Sequence, residues 1–505
     1  MSAASIVSST LTSGFIDLAT FDELEKYMYG GNSAITYFVR ETRKSTWFTQ
    51  VPTALSRSSG TADFNQEWSA NISRSGDYLL QAWVRTTIPA VTLTAASNFT
   101  IRWTRNLMHN LIREASVTFN DLSAERIDNF FLDFWSSFTV PAGKRVGYDN
   151  MIGNISALIQ PTAAGVATRS VTLNLPLPFF FTRDSGVALP TAALPYNDMK
   201  IQLWFRDWSE LLVVDNLTAA AGANPSAAPT LAQLGGTAPS LSNTYVWANY
   251  AIVSNDERKR MGCAPRDILI EQVQTAPVQT WAPATNPNPS YDIRFSHAIK
   301  ELFFAVWNTT TASDRSNYVN TSAVPSAGFV NFAPPFPSAT DPILATSLLY
   351  ENSARLQYMG SDYFSLVQPY YQPNAVIPVV SGYHMYSYSL DFLSCDPQGS
   401  TNYGKLTNIS IVPYATTYAV SAAGGTLASP GGTWAQTYMF VVVGVNNNII
   451  RVSGGALGRN FYQHHLNMSK MLSSRPTTSS CHQSCDKTLM GKQWNYHSSM
   501  TDITA

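Results

Sequence analysis

The sequence predicts an all-β protein made of two consecutive sandwiches or barrels, and three observations carry that reading. Runs of two-residue apolar alternation recur along the chain, separated by Gly-, Pro- and Asn-rich turns. Short strands without long helical patterns between them exclude a βαβ architecture. One capped, highly charged helical segment stands near the middle of 505 residues, a length beyond what a single core fills.

Residues 1–32 are read as an N-terminal arm with a short helix. Thr20 to Glu23 has capping-box spacing, Phe21, Leu24 and Met28 share one face, and Gly30-Gly31 supplies the stop. Residues 33–254 form the first β domain. In it Met199, Ile201, Leu203 and Phe205 alternate with Lys200, Gln202, Trp204 and Arg206. Val246, Ala248, Tyr250 and Ile252 alternate in the same way with Tyr245, Trp247, Asn249 and Ala251. Ser254-Asn255-Asp256-Glu257 is a second capping box, followed by the densest charge run of the chain, before Gly262 and Pro265. Residues 255–267 are therefore the expected linker helix, joining two domains that each have their own core.

The second β domain spans 268–456. Tyr386, Tyr388, Leu390 and Phe392 alternate with Ser387, Ser389 and Asp391, Asp396-Pro397-Gln398-Gly399 makes a turn, and a further alternating run follows over 406–412. Four aperiodic stretches, 217–243, 281–290, 308–341 and 416–434, read as long loops at the sandwich ends. Residues 457–505 mix His, Lys and Arg with Ser/Thr clusters and read as a polar tail that orders only against a partner.

Composition narrows the function. Charged residues make up 13% of the chain, about half of the roughly 25% usual for soluble domains. So weakly charged a surface suits a protein buried against copies of itself. The balance of 32 basic to 33 acidic residues, with no basic cluster, argues against nucleic-acid binding. Four cysteines, Cys263, Cys395, Cys481 and Cys485, are too few for a disulfide scaffold and fit folding in a reducing cytosol. Residues 1–13 lack the basic start and apolar centre of a signal peptide. Apolar runs such as 439–445 fall far short of the ~20 residues of a membrane span, so any membrane contact is expected to be peripheral.

The stretch 386–408, YSYSLDFLSCDPQGSTNYGKLTN, resembles the last third of the major capsid proteins of large icosahedral DNA viruses. Other stretches narrow the resemblance to the iridovirus branch. They are residues 13–41, RWTRNLMHN at 102–110, GYDNMIGN at 147–154, LPLPFFFTRDSGVALPTAALPYNDMKI at 175–201, DIRFSHAIKELFF at 292–304 and NNNIIRVSGG at 446–455. Their order along residues 13–456 is the specific part. The resemblance implies a double jelly roll, two consecutive eight-stranded sandwiches per chain, with short helices in the arm and the linker. It implies a structural shell protein without catalysis or cofactor. Three chains would form a pseudo-hexagonal capsomer in an icosahedral shell around an internal membrane. Its partners would be other copies, minor capsid proteins beneath the shell and peripherally that membrane, with no nucleic acid. It would reside in the virion after synthesis in the host cytoplasm. Proteins of this kind end soon after the strand corresponding here to residues 440–452, so the tail is a departure.

Motifs that could carry other chemistry are weak. Residues 399–405, GSTNYGK, match the first positions of a phosphate-binding P-loop, but Leu406 replaces the Mg²⁺-binding hydroxyl and an extended segment follows. His297 and His384 stand isolated in strand-like segments and read as hydrogen-bonded structural residues. Eight Asn-x-Ser/Thr sequons occur, at Asn71, Asn98, Asn154, Asn216, Asn308, Asn320, Asn408 and Asn467. Asn308 and Asn320, in a long loop, are the expected best-exposed glycosylation candidates, although a cytosolic protein would not meet the enzyme. Cys481 and Cys485 have a structural zinc spacing with His464, His465 and His497 nearby, against free thiols or an interchain disulfide. The rival function is a carbohydrate-binding jelly roll, suggested by 12% aromatic content and by Trp204 and Trp247.

Overall fold

A computed structural model describes residues 3–219, 223–263, 265–322, 341–426, 434–453 and 455–459. Cys481, Cys485 and nearly all of the predicted tail lie outside the described residues. Two compact units divide between Trp47 and Phe48.

The first unit carries helices Ala3–Ala19 and Glu23–Met28. The cap of the second is Asp22, whose carboxylate accepts the Glu23 N–H at 2.7 Å, and not the expected Thr20. Thr20 instead closes the first helix, its hydroxyl donating to the Asp17 carbonyl at 2.8 Å. That first helix was hidden by its Ser/Thr content, which favours caps over helix interiors. Its apolar spacing, Leu11, Phe15 and Leu18, is nevertheless helical.

The second unit holds five sheets among the described residues, and no sheet mixes strands from the two sides of helix Asn255–Cys263. On the N-terminal side, one sheet has the order Phe48–Ala54, Ser242–Val253, Tyr78–Ile88, Val171–Pro176. A second runs Ser56–Gly60, Glu67–Asn71, Met199–Phe205, Ile112–Phe119, Leu122–Asp128. Their inward residues, such as Val84, Val246, Val117 and Ile201, belong to one apolar core. A small third sheet pairs Leu212–Asn216 with Phe99–Trp103, flanked by Ser226–Ala227 and Thr162–Ala163.

On the C-terminal side one sheet has the order Arg266–Thr275, Tyr438–Ser453, Ala298–Asn308, His384–Ser387. The other runs Tyr291–Asp292, Ile409–Ala415, Ile343–Tyr350, Ser353–Gly360. Leu302, Phe304, Phe440 and Ile411 from the two sheets share a core.

Alternation over Met199–Phe205 is as the sequence implies, with Met199, Ile201, Leu203 and Phe205 buried. In Ser242–Val253 it holds through Tyr250 and then slips. A register shift between Asn249 and Tyr250 puts Ala251 and Val253 inside and leaves Ile252 37% exposed. The expected strand over 386–392 is shorter and earlier, His384–Ser387. The polar members of its alternation end it. Ser387 Oγ accepts the Ser389 N–H at 3.1 Å, and Asp391 Oδ1 accepts the Leu393 N–H at 3.0 Å. These local bonds compete with the sheet ladder, leaving Leu390 on the surface at 77% exposure.

The expectation of two separate cores is corrected. Phe303, Ala305, Val441, Val443 and Val445 of the second sandwich pack into the core of the first, while their neighbours Leu302, Phe304, Val306, Phe440 and Val442 fill their own. This sheet is buried on both faces. Its sequence signature is the unbroken apolar run, visible at 302–307 and 439–445.

Candidate functional site: the buried seam between the two sandwiches

Helix Asn129–Thr139 leaves strand Leu122–Asp128 through an Asp128 cap, whose Oδ1 accepts the Phe131 N–H at 2.8 Å. The helix lies against the outer face of the second sandwich. Phe134 and Phe138 stack on Phe303 at centroid distances of 5.9 and 5.6 Å, and Trp135 meets Phe392 edge-on at 6.2 Å. Backbone bonds complete the joint, with the Val376 N–H donating to the Phe138 carbonyl at 2.8 Å.

Three buried polar networks are set into this apolar seam. In the first, Asp133 takes four partners. Asn106 Nδ2 and His109 Nδ1 lie 3.0 and 2.7 Å from Oδ1, and Ser316 Oγ and Tyr318 OH donate to Oδ2 at 2.6 and 2.9 Å. His109 Nε2 lies 2.7 Å from Tyr148 OH. Burial and the Asp133 charge push the Tyr318 hydroxyl well above its ordinary pKa, so it stays a donor.

In the second network, Arg102 Nε lies 2.9 Å from Asp215 and its Nη2 3.1 Å from Asp314, across the seam. Burial alone would raise the Asp314 pKa, but the Arg102 and Arg105 charges hold it below the usual carboxylate range. Arg315 Nη2 contacts Glu210 at 2.5 Å, and its N–H donates to Thr104 Oγ1 at 2.8 Å. Asp314 to Tyr318 thus plug into the first sandwich, although the sequence reading put this stretch in a long loop at a sandwich end.

The third network joins Glu125 and Arg183 of the first sandwich to Glu271 and Lys300 of the second. Arg183 Nη1 and Lys300 Nζ each reach Glu271 at 2.5 Å, and Glu125 Oε2 accepts the Phe180 N–H at 2.7 Å. The Arg183 guanidinium also lies over the Trp135 ring at 4.6 Å. Glu301 is 1% exposed, and neither of its carboxyl oxygens has a hydrogen-bond partner among the described residues. Burial pushes the Glu125 pKa up to about 7 and that of Glu301 well above the ordinary value.

The networks were not legible in the sequence because their members stand far apart along the chain. Several members fell in stretches singled out beforehand, Arg102, Asn106 and His109 at 102–110, Tyr148 at 147–154, Arg183 at 175–201 and Lys300 and Glu301 at 292–304, but no stretch by itself showed which of them would meet.

Elsewhere the candidate chemistry resolves into structure. His384 is buried, with Asp341 Oδ2 and Ser361 Oγ both 2.6 Å from Nε2 and the Phe304 carbonyl 3.3 Å from Nδ1. A working Ser-His-Asp relay needs its serine and carboxylate on opposite ring nitrogens. His297 occupies a left-handed backbone position at φ 65°. After GSTNYGK comes strand Ile409–Ala415, and the loop is held by Asn402 Oδ1 accepting the Gly404 N–H at 3.0 Å. Trp204 and Trp247 lie on different sheets, Trp204 beneath the Arg113 guanidinium at 5.1 Å and Trp247 stacked on Trp83 at 6.3 Å. They make no common sugar platform. Asn308 and Asn320, expected as the best-exposed sequons, are 1% and 0% exposed. Asn308 Nδ2 donates inward to Gln436 Oε1 at 3.0 Å.

The seam joins the two sandwiches through a shared apolar core and polar bridges, the arrangement of a two-sandwich building block. Known proteins agree. Residues 36–253 match the family model described as major capsid protein N-terminus, and residues 257–458 match that of large eukaryotic DNA virus major capsid protein. The major capsid protein of Costelytra zealandica iridescent virus is 62% identical over 460 residues, covering 90% of this chain and 99% of that one. That of lymphocystis disease virus 1 is 49% identical over 464 residues, again covering 90% and 99%. Among solved structures, PBCV-1 VP54 fitted into a reconstruction of the virophage Sputnik has a TM-score of 0.67 at 19% identity, covering 84% of this chain and all of that one. The Faustovirus major capsid protein has a TM-score of 0.61 at 13% identity, covering 86% and 94%. These likenesses show the double jelly-roll fold. The chain belongs to the major capsid protein family of large eukaryotic DNA viruses, within its iridescent-virus branch.

Proposed function

We propose that three copies of this structural capsid protein associate into a pseudo-hexagonal capsomer that tiles an icosahedral shell, without catalysis. The observation that carries the reading is the repeat of strand order in two sandwiches locked by a buried seam. Two similar rigid rolls per chain let three-fold symmetry approximate six-fold packing with one gene product. The low charge content supports extensive burial between copies. We divide the chain functionally into an arm (1–32), a first roll (33–254), a linker helix (255–267), a second roll (268–456) and a tail (457–505). Arg258 of the linker forms a two-pronged ion pair with buried Asp77, at 2.7 and 2.9 Å, which supports a linker fixed to the first roll.

Contacts with minor capsid proteins and an internal membrane, and synthesis in the host cytoplasm, belong to the same proposal. Light scattering of the purified chain should report a species of three times 55.4 kDa at micromolar concentration. A monomer under those conditions would refute the trimer, and electron microscopy of assembled particles would locate the capsomers.

A further inference from the structure

Eight strands in the two facing sheets of the first sandwich recur in the same order in the second, and the repeat extends past the sheets. In the first, hairpin strands Ile112–Phe119 and Leu122–Asp128 turn through Asn120 and Asp121 at φ 50° and 66°. In the second, Ile343–Tyr350 and Ser353–Gly360 turn through Glu351 and Asn352 at φ 47° and 65°. A helix follows each hairpin directly. In the first sandwich it is Asn129–Thr139, and in the second it is the π-helical turn Tyr363–Val367 running into Gln368–Tyr371.

The first helix is covered, because its own chain's second sandwich supplies the outer sheet face it needs. Phe134, Trp135 and Phe138 make those contacts. Counted from the end of the preceding strand, the same positions in the second helix are Leu366, Val367 and Tyr370. They are 49%, 39% and 72% exposed, and the adjacent Tyr371 is 78% exposed.

The complementary half is also present and uncovered. In the second sandwich the helix-binding face includes the cross-strand row Thr275, Val443, Phe303 and Met385. A row of the same kind in the first sandwich is Ala54, Trp247, Trp83 and Pro176, in strands of the same order. The Trp83–Trp247 stack stands half-buried on that face beside Tyr245 at 50% exposure. Around it Gln50, Gln81, Arg85 and Asn249 form a polar rim suited to tyrosine hydroxyls.

We propose that the helix at 363–371 of one copy seats on the Trp83–Trp247 face of a second copy, repeating between chains the junction that Asn129–Thr139 makes within one. The inference rests on the self-association proposed above and names its surfaces. The contact is heterologous: each copy offers one helix and one face, so the series ends only by closing into a ring.

Two variants test it, Leu366→Asp/Tyr370→Asp on the helix and Trp247→Asp on the face. Each should keep the far-UV spectrum of the parent and lose the trimer, giving monomer at concentrations where the parent is fully assembled. Mixed in equal amounts, they should form dimers and stop there, because one intact helix meets one intact face and the other junction carries both lesions. Trimers persisting in either variant, or no dimer in the mixture, would overturn the proposal. A monomeric parent would instead refute the self-association itself. Should a charge variant not fold, Tyr245→Cys/Val367→Cys in one chain gives a second readout. Oxidation should produce disulfide-linked dimers and trimers, and purely monomeric chains after oxidation of an assembled sample would refute the contact.

Discussion

Asp133 shows how much a single residue can hold when its partners come from both sandwiches. A buried carboxylate is costly unless its charge is met by donors, and here four are aimed at it. Asp133→Ala strips Ser316 and Tyr318 of their acceptor and should cost about 3–5 kcal/mol, on the scale of breaking a buried ionic contact, measurable by denaturant unfolding. Glu301 is the opposite case, a buried carboxyl whose oxygens have no hydrogen-bond partner among the described residues. A carboxyl whose folded pKa is raised keeps its proton in the folded protein at pH values where the unfolded chain has lost it. Stability therefore falls as pH rises from about 4.5, through about 7 for Glu125, and further for Glu301. Glu301→Gln should leave stability at pH 4 unchanged and raise it at pH 8 by roughly 1–3 kcal/mol. An equal effect at both pH values would rule out a titrating Glu301.

At the scale of elements, packing overrides local pattern in a consistent way. Met199–Phe205 reads correctly from its alternation because one face is inside and the other is not. Ala298–Asn308 and Tyr438–Ser453 show little alternation over their central residues because the first sandwich covers their outer face. The unbroken run at 439–445 was visible in the sequence but served only to exclude a membrane span. The seam's residues were invisible for another reason. Asp133 and Tyr318, or Arg102 and Asp314, gain meaning only when the fold brings distant stretches together. Helix Asn129–Thr139 is the element that organises this meeting, and Phe303 is where two of its rings converge. Phe303→Ala should destabilise by about 3–5 kcal/mol through lost transfer energy and a cavity. Phe304→Ala, on the other face of the same strand, should cost a similar amount by emptying the second sandwich's own core.

For the molecule as a whole, the continuous packing between sandwiches decides how it unfolds. Domains joined only by a linker helix melt separately when few contacts cross between them. Here the outer sheet of the second sandwich supplies Phe303, Ala305, Val441 and Val443 to the first sandwich's core, and three polar networks bridge the same surface. Separating the sandwiches would expose that apolar face, take Arg102 from Asp314 and Arg183 from Glu271, and take Ser316 and Tyr318 from Asp133, a cost paid before either sandwich has unfolded. Calorimetry on unassembled chains should therefore show one cooperative transition, and Asp133→Ala should lower it as a unit without splitting it. A chain beginning at Asn255 should be recovered as aggregate, since its exposed sheet face would be long, flat and apolar. Two resolved transitions in the parent, or a soluble monomeric C-terminal half, would mean that each sandwich is stable alone and that the seam only positions them.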